Sequence, residues 1–185
     1  MNLKCKQGKR CGPKGAFTLM ELVTVIAIIS ILILLLTPAI GRVRALAQKS
    51  SCSHNLTSLY VAANLYTQEQ GHWPQVDVKT YGKPAFAKSW VDALSPYGIH
   101  EINWICPTIQ TDLKNPDIHR PGQMRLDYIG TPFGPDPRAP YKFATQPWFV
   151  ERGDVHGDGN LVIFANGNLQ TLAEIRKNTQ MQIAQ

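Results

Sequence analysis

The most restrictive feature of the chain is an apolar run near its start, where residues 22–36 include only two polar side chains, Thr24 and Ser30. Taken over residues 17–40, the run has the length of a bilayer-spanning helix, about 20 residues or more. Its β-branched residues, among them Val23, Val25, Ile26, Ile28 and Ile29, would suit a buried strand in water, but the run is longer than strands are. A helix is therefore predicted. It also pairs every backbone polar group within itself, which a lone strand in hydrocarbon does not.

The charges around this run set a direction. Lys4, Lys6, Lys9, Arg10 and Lys14 precede Phe17 with no acid among them, so removing this segment lowers the formal net charge from +6 to +1. A basic excess ordinarily suggests nucleic acid. Here it is concentrated against an apolar run, which makes it a topology signal, and no direct nucleic-acid partner is expected. Arg42, Arg44 and Lys49 follow the run, so the balance favours a cytoplasmic N-terminus and an exported C-terminal body. Ala45-Leu46-Ala47 has the small-x-small form of a signal-peptide cleavage site. Against that, the run exceeds a signal-peptide core of about 7–15 residues, and two arginines stand between it and the supposed cut.

Glu21 is the only charged residue between Lys14 and Arg42, and it lies just inside the run. An isolated carboxylate in a bilayer is costly, so an intramembrane acid is a functional hypothesis with a partner to be named. A cut just before Phe17 would create an α-amine about one helical turn away, charged near neutral pH and held at the same depth. Within one helix that pair has poor geometry; between staggered neighbouring helices it closes. Two charges that are costly singly become tolerable together, which favours subunits in register. The alternative is that Glu21 marks the wet interfacial edge of a tilted helix.

The stretch Gly15-Ala16-Phe17-Thr18-Leu19-Met20-Glu21-Leu22-Val23, followed by the isoleucine-rich run and Pro38, resembles the cleavage and methylation signature of type IV pilins and type II secretion pseudopilins. The likeness covers only about the first forty residues, but it needs a basic leader, a small residue, Phe-Thr-Leu-x-Glu and an apolar helix to coincide. It implies that a prepilin peptidase removes the leader, that the new N-terminus is methylated, and that Glu21 guides docking on other subunits at an inner-membrane assembly platform. Ala16 stands between Gly15 and Phe17, a departure from the commonest pattern that leaves two cut sites. Cleavage after Ala16 makes Phe17 the methylated residue and keeps the usual spacing to Glu21; cleavage after Gly15 keeps glycine as the last residue removed.

Beyond Pro38, which is expected to kink or loosen the helix near Gly41, the pattern becomes amphipathic. Leu46, Leu56, Leu59, Tyr60, Ala63 and Tyr66 or Thr67 fall near helical spacing until Gly71 and Pro74 end it. Residues 71–147 read as loop-rich, with short apolar pieces at 90–94 and 104–109. Their tryptophans and tyrosines are read as core and loop anchors, the alternative being a platform that stacks on sugars.

Cys5 and Cys11 lie in the leader, so processing leaves Cys52 and Cys106 as one candidate pair. In an oxidising compartment they could close a loop of about fifty residues, worth roughly 4 kcal/mol by the loop-entropy model. Two separately buried thiols are the alternative. Neither spacing has the close Cys-x-x-Cys or Cys-x-x-His pair of a zinc site, and no metal or cofactor is expected.

Near the end, residues 161–165 read as a strand, Asn166-Gly167 as a type I′ turn and residues 168–172 as the returning strand. His156, nine intervening residues and Asn166-Gly167 also resemble the C-terminal motif of a subgroup of prepilin-like proteins, with Asn in place of Asp. Asp154, Asp158 and Asn160, with Gly159, partly match a calcium loop, but His156 takes one ligand position and Ala165 stands where the bidentate acid belongs. A glycine-rich turn is the simpler reading. No nucleophile elbow, phosphate loop or paired catalytic carboxylates appear, and His156 alone is no active site, so an enzyme is not expected.

The expected architecture is α+β and pilin-like: a leader (1–16), a transmembrane helix (17–40), its amphipathic continuation (41–70), and a loop-rich globular domain (71–185) with a small antiparallel sheet. The expected role is structural, in a secretion pseudopilus or a type IV pilus-like filament in the periplasm or outside the cell. The rival is a membrane-tethered binding protein whose aromatic loops recognise a polymer.

Overall fold

The computed structural model describes residues 17–112 and 124–183. The leader, with Cys5, Cys11, Gly15 and Ala16, lies outside them. Backbone contacts divide the chain into two units, Met1–Val43 and Arg44–Gln185. Helix α1 (Leu19–Gln70, 52 residues) belongs to both and runs unbroken through positions 38 and 41, so the loosening expected there does not interrupt it. In the first unit every large apolar side chain from Phe17 to Ile40 is exposed. Mean hydropathy reaches 2.9 in this part of α1, which makes it long and apolar enough to cross a membrane.

In the second unit α1 carries a buried stripe, Cys52, Leu56, Leu59 and Ala63, at helical spacing, with Ala62 and Thr67 beside it. Leu46, expected on this face, is 68% exposed, and Cys52 opens the stripe instead. Residues 71–112 hold more helix than their composition suggests: α2 (Pro84–Leu94) and the short α3 (Pro107–Asp112), with single 3₁₀ turns around them. Pro84 occupies the first turn of α2, where its missing N–H costs nothing, and Phe86, Ala87, Trp90 and Leu94 bury one face.

The sheet is a four-stranded antiparallel meander, β1 (Tyr128–Gly130), β2 (Pro147–Glu151), β3 (Leu161–Phe164) and β4 (Leu169–Thr171), ordered as in sequence. Tyr128 pairs with Glu151, Val150 with Val162, and Leu161 with Thr171. Gly130 is required by packing, because a Cβ there would overlap the Trp90 indole.

The β3–β4 turn differs in frame from the sequence expectation. The Gly167 amide bonds to the Phe164 carbonyl at 2.8 Å and the Phe164 amide to the Asn168 carbonyl at 3.0 Å. The loop is thus three residues, Ala165 to Gly167, and Gly167 at φ 77° supplies the left-handed position that closes it. The two-residue turn centred on Asn166-Gly167 is corrected by one position. Ladder register, set by Ile163 opposite Leu169, decides the frame, and Asn166 serves by accepting the Asn168 amide at 2.9 Å. A final helix, α4 (Leu172–Ile183), opens on a capping box in which Thr171 and Glu174 exchange bonds of 2.8 and 3.2 Å.

All four tryptophans, Trp73, Trp90, Trp104 and Trp148, are fully buried in one core. Trp73 meets Trp148 and Phe133 edge-on at 4.7 and 5.1 Å, and Tyr60 of α1 lies 4.9 Å from Trp148. The Trp73 and Trp148 indoles donate to the carbonyls of Thr131 and Pro140 at 2.9 and 2.7 Å. These rings are the anchors of the loops, each contributing a large apolar area at low rotamer cost. The exposed aromatic rings of this unit are Tyr81, Tyr141 and Phe143.

Candidate functional site

Among the described residues of the first unit, the polar side chains of the apolar run bond within their own helix. Thr18 and Glu21 form a capping box: the Thr18 amide and hydroxyl donate to Glu21 Oε2 at 2.9 and 2.8 Å, and the Glu21 amide donates to the Thr18 hydroxyl at 3.3 Å. Thr24, Ser30 and Thr37 each donate to a carbonyl three or four residues back, at 2.7 to 2.9 Å. Hydroxyls spent in this way add no unsatisfied donor to a helix in lipid. Phe17 is exposed ahead of the helix. Sequence reasoning sought a cation for Glu21 and missed the Thr18 cap, although Thr-x-x-Glu ahead of an apolar run is its signature.

In the second unit Cys52 of α1 and Cys106, the residue before α3, are joined by a disulfide with Cα atoms 5.4 Å apart. Two ionic groups lie buried near it. Glu151, at the end of β2, has a fully buried side chain; its Oε1 faces His156 Nε2 at 3.2 Å, and its Oε2 accepts the Leu161 amide at 3.3 Å. Asp127, beside β1, accepts the Cys106 amide at 2.9 Å and the Arg125 guanidinium at 2.8 Å. Burial holds the Glu151 carboxyl above its ordinary range, even though His156 pulls it the other way. Burial likewise raises the Tyr128 hydroxyl.

The loop after β2 turns on Asp154, whose Oδ1 accepts the amides of Gly157 and Gly159, each at 3.0 Å. Asn160 donates to the Glu151 carbonyl at 2.8 Å, and Asp158 is paired with Lys49 of α1. Asp154, Asp158 and Asn160 are thus tied to separate partners and not to one point, and the segment is a hydrogen-bonded turn. His156 and the Asn166-Gly167 turn also have different partners: His156 bonds Glu151, whereas the turn rests on Tyr60, whose hydroxyl donates to the Ala165 carbonyl at 3.2 Å.

A groove of about 320 Å³ opens beside this centre, lined by Leu46, Gln48, Lys49, Thr108, His156 and Asp158 among others. His156 lines it, whereas the disulfide sulfurs lie behind its wall, fully buried. Asp127, Arg125 and Glu151 were not singled out from sequence. The only trace was an acid ending an otherwise apolar strand, Pro147–Glu151, whose partners lie elsewhere in the chain. Comparison of the chain with protein-family models, with curated proteins and with solved structures finds no match.

Proposed function

We propose that the chain is a prepilin-like structural subunit. It enters the inner membrane through residues 17–40 with its N-terminus in the cytoplasm and its C-terminal body exported. Prepilin peptidase removes the leader after Ala16, Phe17 is methylated, and the subunit joins a type II secretion pseudopilus or a type IV pilus-like filament. The observation that carries this reading is Glu21: the only charge of the span, placed in its first turn and answered among the described residues by Thr18 alone. The outward-facing apolar side chains around it offer a surface for lipid first and for neighbouring helices afterwards. The burial of all four tryptophans also favours a structural role over polymer binding by aromatic loops.

Mass spectrometry of the membrane-extracted chain tests the processing step, with a mature N-terminus at methylated Phe17 expected. Retention of Met1, or a start near Gln48, would sink the proposal. Glu21→Gln tests assembly, because glutamine keeps the capping geometry and removes the charge. It should leave insertion intact and abolish cross-linking between subunits; unchanged cross-linking would count against the assembly role.

A further inference from the structure

We infer that, with its disulfide reduced, the chain forms a buried zinc site from the Sγ atoms of Cys52 and Cys106, a carboxylate oxygen of Glu151 and a ring nitrogen of His156. This inference does not depend on the filament reading. The four ligand atoms already lie within 4.8 Å of one another. Two thiolates, an imidazole and a carboxylate form a set that suits a borderline-soft tetrahedral ion and not calcium or magnesium.

The geometry is close to what such an ion requires. A nitrogen and an oxygen each about 2.0–2.1 Å from one tetrahedral zinc stand about 3.3 Å apart, and His156 Nε2 and Glu151 Oε1 are separated by 3.2 Å. Two thiolates about 2.3 Å from the ion stand about 3.8 Å apart, so the sulfur–sulfur bond must open first. The supporting contacts exist as well. The Leu161 amide fixes the other Glu151 oxygen, the Asp127 carboxylate holds the Cys106 amide, and Thr108 Oγ1 sits 4.0 Å from Cys52 Sγ. Thr108 and His156 also line the groove, which supplies an entry path.

A bridge alone does not need a buried acid beside it. A carboxylate with no solvent access is costly where apolar side chains would pack, and the Glu151–His156 pair acquires a purpose if it serves a second state of the two sulfurs. In the exchange, a dithiol reductant gives two electrons and two protons to the bridge and becomes a disulfide itself. The two cysteine thiols then release their protons to solvent as zinc binds, and the ion takes the place between His156 and Glu151. Oxidation of the bridge and occupancy by zinc are therefore mutually exclusive.

The test uses the full chain in non-ionic detergent, carrying Cys5→Ser and Cys11→Ser so that leader thiols do not compete. It is reduced with a phosphine that is removed anaerobically, and then titrated with zinc or cobalt(II). The expected result is one zinc per reduced chain and none per oxidised chain, with a cobalt adduct showing thiolate charge transfer and tetrahedral visible bands. His156→Ala and Glu151→Gln should each weaken binding by more than the roughly 10–100-fold that supporting contacts carry. Fluorescence of the buried tryptophans reports whether each variant is folded, and His156→Gln replaces His156→Ala if the latter is not. The inference is overturned if the reduced chain takes up no zinc, whether folded or unfolded. Equal uptake by the oxidised chain, or full affinity in a folded variant at either position, overturns it too.

Discussion

Removing the disulfide, by Cys52→Ala together with Cys106→Ala, should cost about 4 kcal/mol. The two cysteines are 54 residues apart in sequence, and a closed loop of that size removes about 14 cal/mol/K of unfolded-chain entropy, or about 4 kcal/mol at room temperature. The native state should neither add to nor subtract from this figure by much. The Cα separation of 5.4 Å is ordinary for a bridge, and α1 and the Cys106 segment are also held by the Asn55 amide on the Ile105 carbonyl at 3.0 Å. Set against a whole-domain stability of about 5–15 kcal/mol, the loss is large without being fatal. With a urea slope near 2 kcal/mol/M the unfolding midpoint should fall by about 2 M. The assay is equilibrium unfolding of the full chain in detergent with a chelator present, followed by the fluorescence of the core tryptophans. A phosphine reductant should reproduce the shift in the parent chain and do nothing to the double variant. A shift under about 0.5 M, or about 1 kcal/mol at that slope, would refute the loop-entropy argument, because it would mean that the unfolded chain is already as constrained without the bridge as with it.

Other consequences can be checked by similar means. Gly130→Ala drives a methyl group into the Trp90 ring and should cost about 1–3 kcal/mol in thermal or urea unfolding, whereas Gly134→Ala, with open space around it, should be nearly silent. Thr171→Ala breaks the capping box of α4 and should cost about 1 kcal/mol, with faster hydrogen exchange confined to the first turn after residue 171. Glu151 gives a pH dependence of definite sign. Its folded carboxyl titrates above the ordinary 4.5, so the folded chain keeps a proton that the unfolded chain has lost. Its contribution is therefore complete below about 4.5 and is lost as pH rises through the raised value. The stability of the parent chain relative to Glu151→Gln should accordingly shrink as pH is raised from 4 through that window; a gap that widens would contradict the burial argument.

The parts of the fold legible in the sequence are those whose signal is local. The length of the apolar run fixes α1 as a helix, and the short apolar run at 161–165 followed by Asn166-Gly167 reveals two antiparallel strands. Local signal also misleads by small amounts. Asn-Gly marks the turn, but the pairing of Ile163 with Leu169 sets its frame. Leu46 is apolar but lies six residues before Cys52, off the face of the core stripe that Cys52 opens, and it is exposed. Strand β1 has only three residues and no periodicity to read, so Tyr128 is recognisable as core only through Glu151 opposite it. Helix α2 was legible in principle, since Phe86, Trp90 and Leu94 share a face behind Pro84, but the surrounding glycine and proline content obscured it. The buried ionic centre could not be seen. Asp127 is 21 residues from the Cys106 amide it holds, and no local rule links them.

The same four-residue device opens two helices of this chain, Thr18-Leu19-Met20-Glu21 at α1 and Thr171-Leu172-Ala173-Glu174 at α4. At α4 it is a complete account of the glutamate: the carboxylate borders solvent, satisfies the Thr171 amide and complements the positive end of the helix. At α1 the geometry is alike but the surroundings expected for it are hydrocarbon. Both Thr18 donors fall on Oε2, which leaves Oε1 without a hydrogen bond among the described residues, and two neutral donors do not neutralise a charge. Water would complete the solvation of Glu174; lipid cannot do so for Glu21. Capping therefore explains why a glutamate fits the first turn of α1. It does not explain how that glutamate would be tolerated in a membrane; under the proposed assembly, a cation brought by another helix would supply what the cap lacks.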